Sequence, residues 1–322
     1  MQIKISVVIP TYKRPGLLSA CLSALTSQTL YKNSYEVIVV SDGPDMETEL
    51  VVRQFCETGY SFVYLHTPLK KGPAAARNMG WQSAAGTLVA FTDDDCIPDP
   101  GWLNDFWNAY KDETTIAYTG KIKVPLSEHP TDYELNTANL EKAEFVTANC
   151  CCTRQALERV GGFDERFSMA WREDSDLEFK LLEENIPIVK RENALIVHPV
   201  RKAPWAISIK DQKKGLFNAL LYKKYPQLYR KKIESSPPWN YYLMIISFIG
   251  GIAAIVLDKN WLAILSFLFW LVLLCIFIIK RLSKTSRSWD HVAEMVVTSA
   301  LIPFVSVYWQ LAGAWKYRVL FL

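Results

Sequence analysis

The sequence lacks the features that mark secreted, repetitive or disordered proteins. Its seven cysteines are odd in number, three of them are adjacent, and they form no C-x-x-C pair, so they fit neither a disulfide framework nor a zinc site. They indicate a reducing compartment. Only a short apolar run precedes Pro10, and we therefore expect no secretory signal. Charged residues make up 21% of the chain and hydrophobic ones 50%, which excludes a disordered chain.

The positive charge of the chain is concentrated in one stretch. Residues 201–232 carry ten Lys or Arg against a single Asp, whereas the whole chain has a formal net charge of only +3. A protein that binds nucleic acid through a uniformly basic surface is therefore excluded. Because juxtamembrane basic residues are attracted to anionic headgroups, we expect this stretch to lie near a membrane.

Short β-branched runs alternate with amphipathic stretches in the first half of the chain. The runs predict strands over residues 3–9, 35–41, 60–66 and 86–92. The intervening stretches predict helices over residues 16–28, 45–56 and 73–84. This order predicts an α/β fold whose mostly parallel sheet is buried on both faces. Ligands of such folds bind beyond the carboxyl ends of the strands.

Two long uncharged segments follow Pro237-Pro238. Residues 240–257 and 261–279 would form helices of about 27 to 29 Å, close to the hydrocarbon thickness of about 30 Å. Basic residues flank the pair on one side of the hairpin, so the positive-inside rule places that side in the cytoplasm. The alternative is a buried hairpin of a soluble core.

A third apolar segment, residues 292–314, has Ser299, Ser306 and Gln310 at helical spacing beside Pro303. It either spans the membrane with that stripe facing the hairpin or lies in the interface.

We therefore expect two domains. The first is a catalytic domain over residues 1–232, and the second is a membrane region over residues 233–322. The protein would be a multi-pass protein of the inner, cytoplasmic membrane, with the catalytic domain in the cytoplasm.

Three consecutive carboxylates follow the fourth predicted strand. Asp93, Asp94 and Asp95 would repel one another strongly unless a cation is present. Hard oxygen ligands indicate Mg²⁺ or Mn²⁺, completed by water and substrate phosphates. Asp93 and Asp95 point to the same side if the strand geometry persists, and Asp94 then faces elsewhere. The alternative is an acidic surface turn that caps the next helix.

Polar residues also follow other predicted strands. Asp42 lies in a Ser-Asp-Gly turn, where it could accept the ring N–H of a nucleobase, although Asp-Gly is also an ordinary turn. Arg77, one turn into the predicted helix that follows Lys71-Gly72-Pro73, could reach phosphate or base, although a solvent-exposed helix face is the default for arginine. His198 ends a later predicted strand and either completes a metal shell or is structural.

An acidic cluster begins a later predicted helix. Glu173, Asp174 and Asp176 lie in its first turn, where the helix dipole favours ionised carboxylates. An ionised carboxylate can act as a general base, whereas plain helix capping explains the same residues.

Five sequence blocks in a fixed order resemble the family 2 glycosyltransferases with the GT-A fold. They are SVVIPTY (6–12), VVSDG (39–43), GP with ARN (72–78), FTDDD (91–95), and GFDE (162–165) with EDSDL (173–177). The resemblance covers roughly residues 3–200 and implies a mixed, mostly parallel sheet flanked by helices.

The resemblance also implies roles for individual residues. Pro10, Thr11, Arg14, Asp42 and Arg77 match the nucleotide-binding positions, Asp93 matches the ribose contact, and Asp95 matches the metal ligand that holds the donor diphosphate. Independently of the resemblance, Lys71 and Asp94 are further candidates for binding the nucleotide or its phosphates, and Asp93 and His198 are further candidate metal ligands. Asp174, with Glu173 beside it, matches the catalytic base of the inverting members. Cys96 departs from the pattern, because many relatives carry a further Asp there.

The sequence thus predicts a membrane-anchored, metal-dependent, inverting glycosyltransferase. It would move one sugar from a UDP- or GDP-linked donor to a lipid-linked or glycan acceptor at the cytoplasmic face. The Gln-x-x-Arg-Trp motif of processive polysaccharide synthases is absent, which favours single-sugar addition. The alternatives are a catalytically idle nucleotide-binding membrane scaffold and a nucleotidyltransferase.

Overall fold

The computed structural model describes residues 2–321, which form two compact units. The first unit comprises the chain up to Pro125 together with Ala138–Val200, and the second comprises Leu126–Thr137 and the chain from Arg201 onwards. The strands are β1 (Ile5–Thr11), β2 (Tyr35–Ser41), β3 (Phe62–His66), β4 (Leu88–Phe91), β5 (Ile97–Pro98), β6 (Ala117–Lys123), β7 (Cys150–Thr153) and β8 (Ile188–Val197).

The α-helices follow the same chain order. They are α1 (Pro15–Thr26), α2 (Met46–Cys56), α3 (Pro73–Ser83), α4 (Trp102–Ala109), α5 (Asp132–Ala138), α6 (Arg154–Val160), α7 (Glu173–Glu183), α8 (Ile207–Asp211), α9 (Leu216–Lys224), α10 (Pro226–Lys232), α11 (Trp239–Val256), α12 (Asn260–Leu282) and α13 (Trp289–Tyr317).

One mixed sheet forms the centre of the first unit, with strand order β3-β2-β1-β4-β7-β6-β8-β5. The four N-terminal strands β1 to β4 are parallel, as predicted. β7 is antiparallel to both β4 and β6, so β6 runs in the same direction as β4. β8 is parallel to β6. Every residue of β1, β2 and β4 is buried, because helices cover both faces of a parallel sheet.

The three adjacent cysteines form most of β7. Cys150, Cys151 and Cys152 are completely buried at the centre of the sheet, where a cysteine behaves as a small hydrophobic residue. Burial raises the pKa of all three thiols, which keeps them protonated and unreactive. The three cysteines are therefore packing residues of the hydrophobic core.

The side-chain amide of Asn149 is buried between β6 and β8, where the pairing register of the two strands shifts between Gly120 and Lys121. Asn149 Nδ2 donates hydrogen bonds of 2.8 Å to the carbonyl oxygens of Lys121 and Ala194. Its Oδ1 accepts a hydrogen bond of 2.8 Å from Trp102 Nε1. A Cβ at Gly120 would overlap the Asn149 amide, so glycine is required beside it.

The second unit contains three helices that are long and apolar enough to cross a membrane, α11, α12 and α13. They cover the three predicted segments except for Leu257, which follows the end of α11, and the predicted combination of an α/β sheet with C-terminal apolar helices is confirmed. α11 and α12 pack closely because Gly251 has no side chain: a Cβ there would lie 2.9 Å from the ring of Phe267. The polar stripe of Ser299, Ser306 and Gln310 on α13 is buried.

Replacing Asn149 by alanine should destabilise the fold by about 3 kcal/mol, because each of three buried hydrogen bonds contributes roughly 1 kcal/mol. Chemical unfolding of the full chain in detergent measures the change. Asn108→Ala, at an exposed position of α4, is the matched control and should change stability by less than about 0.5 kcal/mol. Equal effects of the two substitutions would contradict the assigned role of Asn149.

Candidate active site

Polar residues from several strands meet at one edge of the sheet. Since β1, β2 and β4 are parallel neighbours, their carboxyl ends bring Thr11, Asp42 and Asp93 to the same edge. β6 and β8 run in the same direction as β4, so the residue after β8, His198, reaches that edge as well. The backbone N–H of His198 donates to the carbonyl oxygen of Lys123, the last residue of β6, at 2.8 Å.

The middle carboxylate of the acidic triplet faces the loop after β1. Asp94 is fully buried; its Oδ2 accepts a hydrogen bond of 2.6 Å from Thr11 Oγ1 and lies 3.1 Å from Arg14 Nε. Burial raises the pKa of Asp94 to about 6, and the Arg14 charge opposes that rise. Asp94 therefore orients Thr11 and Arg14, two of the predicted nucleotide-binding residues.

Arg77 joins the triplet to the start of α7. Its guanidinium donates to Asp93 Oδ1 at 2.7 Å and to Glu173 Oε1 at 3.1 Å, and only 2% of the residue is exposed. Burial alone would lower its pKa, but the two carboxylates raise that pKa above its ordinary value. A solvent-exposed helix face, the default for an arginine, is therefore wrong for Arg77.

Two carboxyl groups in the first turn of α7 have pKa values above their ordinary ones. Burial, and then the neighbouring charge of Asp174, raises the pKa of Glu173 to about 7. Burial also raises the pKa of Asp174, although its Oδ1 accepts a hydrogen bond of 2.7 Å from the backbone N–H of Ser175. Loss of hydration therefore outweighs the stabilisation that the helix dipole gives to ionised carboxylates. Carboxylates of raised pKa suit general base catalysis.

Three potential metal ligands lie close together at the last residue of the acidic triplet, Asp95. The ligand atoms of Asp95, Cys96 and His198 lie within 4.8 Å of one another, and His198 Nε2 is 3.6 Å from Asp95 Oδ1. His198 Nδ1 is buried without a hydrogen-bond partner among the described residues. The structure thus brings two predicted metal ligands together, whereas the third, Asp93, pairs with Arg77. The nearby thiol of Cys96 was not among the predicted ligands.

Asp42 organises the loop that begins α3. Its two carboxylate oxygens accept hydrogen bonds from the backbone N–H groups of Lys71 at 2.6 Å and Gly72 at 2.9 Å. Gly72 has φ of +106°, and a Cβ there would overlap the backbone of Ser168, so only glycine suits the turn. Lys71 itself is exposed, and Pro10 is buried at the end of β1.

Sequence reasoning gave no role to Asn78, although it lies in one of the resembling blocks. Its Oδ1 accepts hydrogen bonds of 2.9 Å from Trp81 Nε1 and the backbone N–H of Phe163. Its Nδ2 donates to the Phe163 carbonyl oxygen at 2.9 Å and to Glu165 Oε1 at 3.0 Å. Asn78 thereby fixes the turn that precedes α7. The available signal was an asparagine, a poor helix former, in a helix interior.

The chain belongs to glycosyl transferase family 2. The family model described as Glycosyl transferase family 2 matches residues 6–167, which is half of the chain. The fold is the GT-A fold: a mannosyltransferase from Pyrobaculum calidifontis, solved with GDP-Man and Mn²⁺, superimposes with a TM-score of 0.56. It is 18% identical, and the match covers 99% of this chain and 88% of that one. The family and fold predicted from the sequence are confirmed.

Two curated relatives are similar over parts of their length. Glycosyltransferase AglE of Haloferax volcanii is 37% identical over 116 residues, which is 36% of each chain. Chondroitin synthase of Escherichia coli is 27% identical over 278 residues, which cover 72% of this chain and 40% of the synthase. The chain thus spans well under half the length of either relative.

The raised pKa of Glu173 should make stability depend on pH. The folded chain binds this proton more tightly than the unfolded chain, whose glutamate has the ordinary pKa of 4.5. The contribution of Glu173 to stability is therefore present below about pH 4.5 and is lost as the pH rises to about 7. Glu173→Gln should consequently stabilise the chain at pH 8 more than at pH 5, measured by chemical unfolding.

Glu183→Gln, at the exposed end of the same helix, is the matched control and should leave the pH dependence unchanged. A Glu173→Gln chain whose pH dependence equals that of the unmodified protein would contradict the assigned protonation.

Proposed function

We propose that the chain is a membrane-anchored, metal-dependent, inverting glycosyltransferase that acts at the cytoplasmic face. It moves one sugar from a UDP- or GDP-linked donor to a lipid-linked or glycan acceptor, and we favour the lipid-linked one. The observation that carries the proposal is the Arg77 bridge between Asp93, at the proposed donor end of the site, and Glu173, beside the proposed base. The bridge would hold the proposed donor end of the site and the proposed base at a fixed distance from each other.

The donor nucleotide would lie over the ends of β1 and β2. Pro10, Thr11 and Arg14 would contact its base and phosphates, and Asp93 its ribose. Asp42 already accepts two backbone hydrogen bonds that shape the loop, and its remaining lone pairs could accept the ring N–H of the base. Lys71 would approach the diphosphate.

Asp95 and His198 would hold a divalent cation. A carboxylate with an imidazole suits Mn²⁺ better than Mg²⁺, because Mg²⁺ prefers oxygen ligands and keeps its water. The buried, partnerless Nδ1 of His198 shows that this ring is not fully satisfied by the described protein groups. When bound, the ion neutralises charge on the departing nucleoside diphosphate.

Asp174 would act on the acceptor. As an acceptor hydroxyl attacks the anomeric carbon, its proton passes to the Asp174 carboxylate. A bond forms from the acceptor oxygen to the anomeric carbon, and the bond to the diphosphate oxygen breaks on the opposite face, which inverts the configuration. Arg77 holds Glu173 in place while this proton moves.

The helices α11, α12 and α13 support membrane anchoring. The basic stretch before α11 and the basic residues after α12 would both lie at the cytoplasmic surface by the positive-inside rule. A donor made in the cytoplasm would then meet a lipid-borne acceptor at the membrane surface.

Asp95→Ala should abolish cation-dependent donor binding. The full chain in nanodiscs is titrated with UDP-GlcNAc and GDP-mannose, with and without Mn²⁺, and binding is followed calorimetrically. Asp99→Ala, at an exposed position four residues on, should bind as the unmodified chain does. Cation-dependent binding that persists in Asp95→Ala would refute the ligand assignment. Release of pyrophosphate in place of nucleoside diphosphate would indicate nucleotidyl transfer, and no turnover would indicate an idle scaffold.

Asp174→Asn should bind donor normally but lose about 10²- to 10⁴-fold in turnover with a hydroxyl acceptor, because the general base is gone. Nucleoside diphosphate release with polyisoprenyl-diphosphate-linked N-acetylglucosamine measures this loss. Glu183→Gln is again the control. Normal turnover of Asp174→Asn would remove the base from the mechanism.

A further inference from the structure

One long face of α13 is covered by residues 206–224, which include α8 and α9 and which we call the lysine-rich layer. Near the start of α13, the backbone N–H of Ala206 donates to Glu294 Oε1 at 2.9 Å. Near its end, Lys223 Nζ donates to the carbonyl oxygen of Tyr317 at 2.7 Å. The two contacts are about 35 Å apart along a helix of 1.5 Å rise per residue. The layer therefore accompanies α13 over most of its length.

The lysine-rich layer also touches α13 between these two contacts. A Cβ at Gly313 would overlap the backbone of Leu216, so α9 and α13 pack closely against each other at this point. Lys213 Nζ lies 5.6 Å from the centre of a ring of Trp309. Gly313 is buried and continues the buried polar stripe of α13 at helical spacing. Towards the end of α13, that stripe therefore faces the lysine-rich layer.

The composition of the lysine-rich layer bears on the orientation of α13. Residues 206–224 contain five lysines and one aspartate, and the side chains of Lys213 and Lys223 are exposed. If α13 crossed the membrane, the layer beside it would carry these charges into the hydrocarbon, where lysine is strongly disfavoured. A crossing would also place Lys316 and Arg318 on the outer side, against the positive-inside rule. A helix that lies in the plane of the interface avoids both problems.

The opposite face of α13 is apolar and exposed. Five large side chains, each at least 42% exposed, recur at intervals of four, seven, three and four residues, namely Val297, Leu301, Tyr308, Leu311 and Trp315. This spacing places them along one side of the helix. Phe304 lies in the same stripe, and its ring centre is 5.5 Å from that of Phe248 in α11. The apolar stripe thus faces the hairpin helices, as expected of an interfacial helix whose apolar face is buried in the headgroup and acyl boundary.

Both ends of α13 lie near the base of the hairpin formed by α11 and α12. The start of α13 follows the end of α12 after only residues 283–288. Beyond the end of α13, Phe321 packs on Tyr222 and Tyr229 with ring centres 5.2 and 5.4 Å apart. Tyr229 belongs to α10, which precedes the hairpin, and its hydroxyl donates to Glu234 Oε2 at 3.2 Å. The contacts at the two ends therefore favour one side of the membrane for the whole helix.

We propose that α13 lies in the plane of the membrane interface, on the side where α11 begins and α12 ends, and binds the bilayer through its apolar stripe. The lysine-rich layer then covers α13 from the aqueous side, where its lysines meet anionic headgroups. Residues 201–322 cross the membrane twice, as the hairpin of α11 and α12. The proposal rests on the membrane anchoring that is part of the proposed function, and it does not depend on glycosyl transfer.

The sidedness of single cysteines in the full chain tests this topology. The two exposed cysteines are removed as Cys56→Ser and Cys275→Ala. Four probes at exposed positions are then introduced one at a time: Lys213→Cys, Lys259→Cys, Asp290→Cys and Lys316→Cys. A membrane-impermeant maleimide is added to right-side-out and to inside-out vesicles of a bacterial host. Lys259→Cys, at the turn of the hairpin, should react only in right-side-out vesicles, and the other three should react only in inside-out vesicles.

A spanning α13 gives a different pattern. Lys316→Cys would then react from the same side as Lys259→Cys, and Lys213→Cys would be unreactive within the hydrocarbon; either result would overturn the proposal. Reaction of Lys259→Cys from the same side as Asp290→Cys would contradict the crossing of the hairpin, and with it the anchoring part of the proposed function. The depth of α13 itself would then be decided by a second measurement.

That measurement uses spin labels on the full chain in nanodiscs of phosphatidylethanolamine and phosphatidylglycerol. The accessibility of each nitroxide to oxygen and to a water-soluble nickel complex gives its depth. Labels at Val297→Cys, Leu301→Cys, Tyr308→Cys and Trp315→Cys should lie at one shallow depth. Val272→Cys, at an exposed position in the middle of α12, is the control and should lie deep. In a spanning α13, the label at Tyr308→Cys would lie about 10 Å deeper than that at Trp315→Cys, which would overturn the proposal, as would four labels that remain in water.

Discussion

The candidate active site depends on one buried cation, the guanidinium of Arg77. Asp93, in the loop after β4, and Glu173, at the start of α7, both approach Arg77, and like charges so close together would repel strongly in a poorly hydrated place. Arg77 allows both to be present, because its planar fork donates to each at the same time. A lysine would neutralise the charge but would not hold both geometries. A single side chain thereby fixes Asp93 and Glu173 relative to each other.

The remaining acids divide into separate environments. Asp94 contacts Thr11 and Arg14, whereas Asp95 approaches His198. Three adjacent carboxylates thus acquire three partners: one arginine from α3, one from the loop after β1, and the histidine after β8. The repulsion that the sequence implies is relieved by Arg77 and Arg14 as well as by any bound metal ion. This division would give a bound ion one carboxylate, that of Asp95, and leaves Asp93 beside Arg77.

Much of the fold could be predicted from the sequence because its signals are local. The apolar runs and turn residues located the first four strands to within about two residues, and uncharged length located the three long helices. The pairing of Arg77 with Glu173 could not be predicted, since the two residues are 96 positions apart and only the folded chain brings them together. The helix dipole was expected to favour the ionised form of Asp174, but burial raises the pKa of this residue. The role of Asn78 could not be predicted for the same reason, because two of its three partners, Phe163 and Glu165, lie in another segment.

The chemistry of the acidic pair also bears on the acceptor. Glu173 Oε2 is buried and has no hydrogen-bond donor among the described residues, and such an oxygen is best satisfied by a donor that arrives with the substrate. A hydroxyl group supplies that donor, whereas an anionic lipid phosphate would add charge beside Glu173 and Asp174 and raise their pKa further. Arg77 is already shared between two carboxylates and offers little compensation for a third anion. We therefore infer that, of the two lipid-borne acceptor chemistries, a sugar hydroxyl fits this site better than a phosphate.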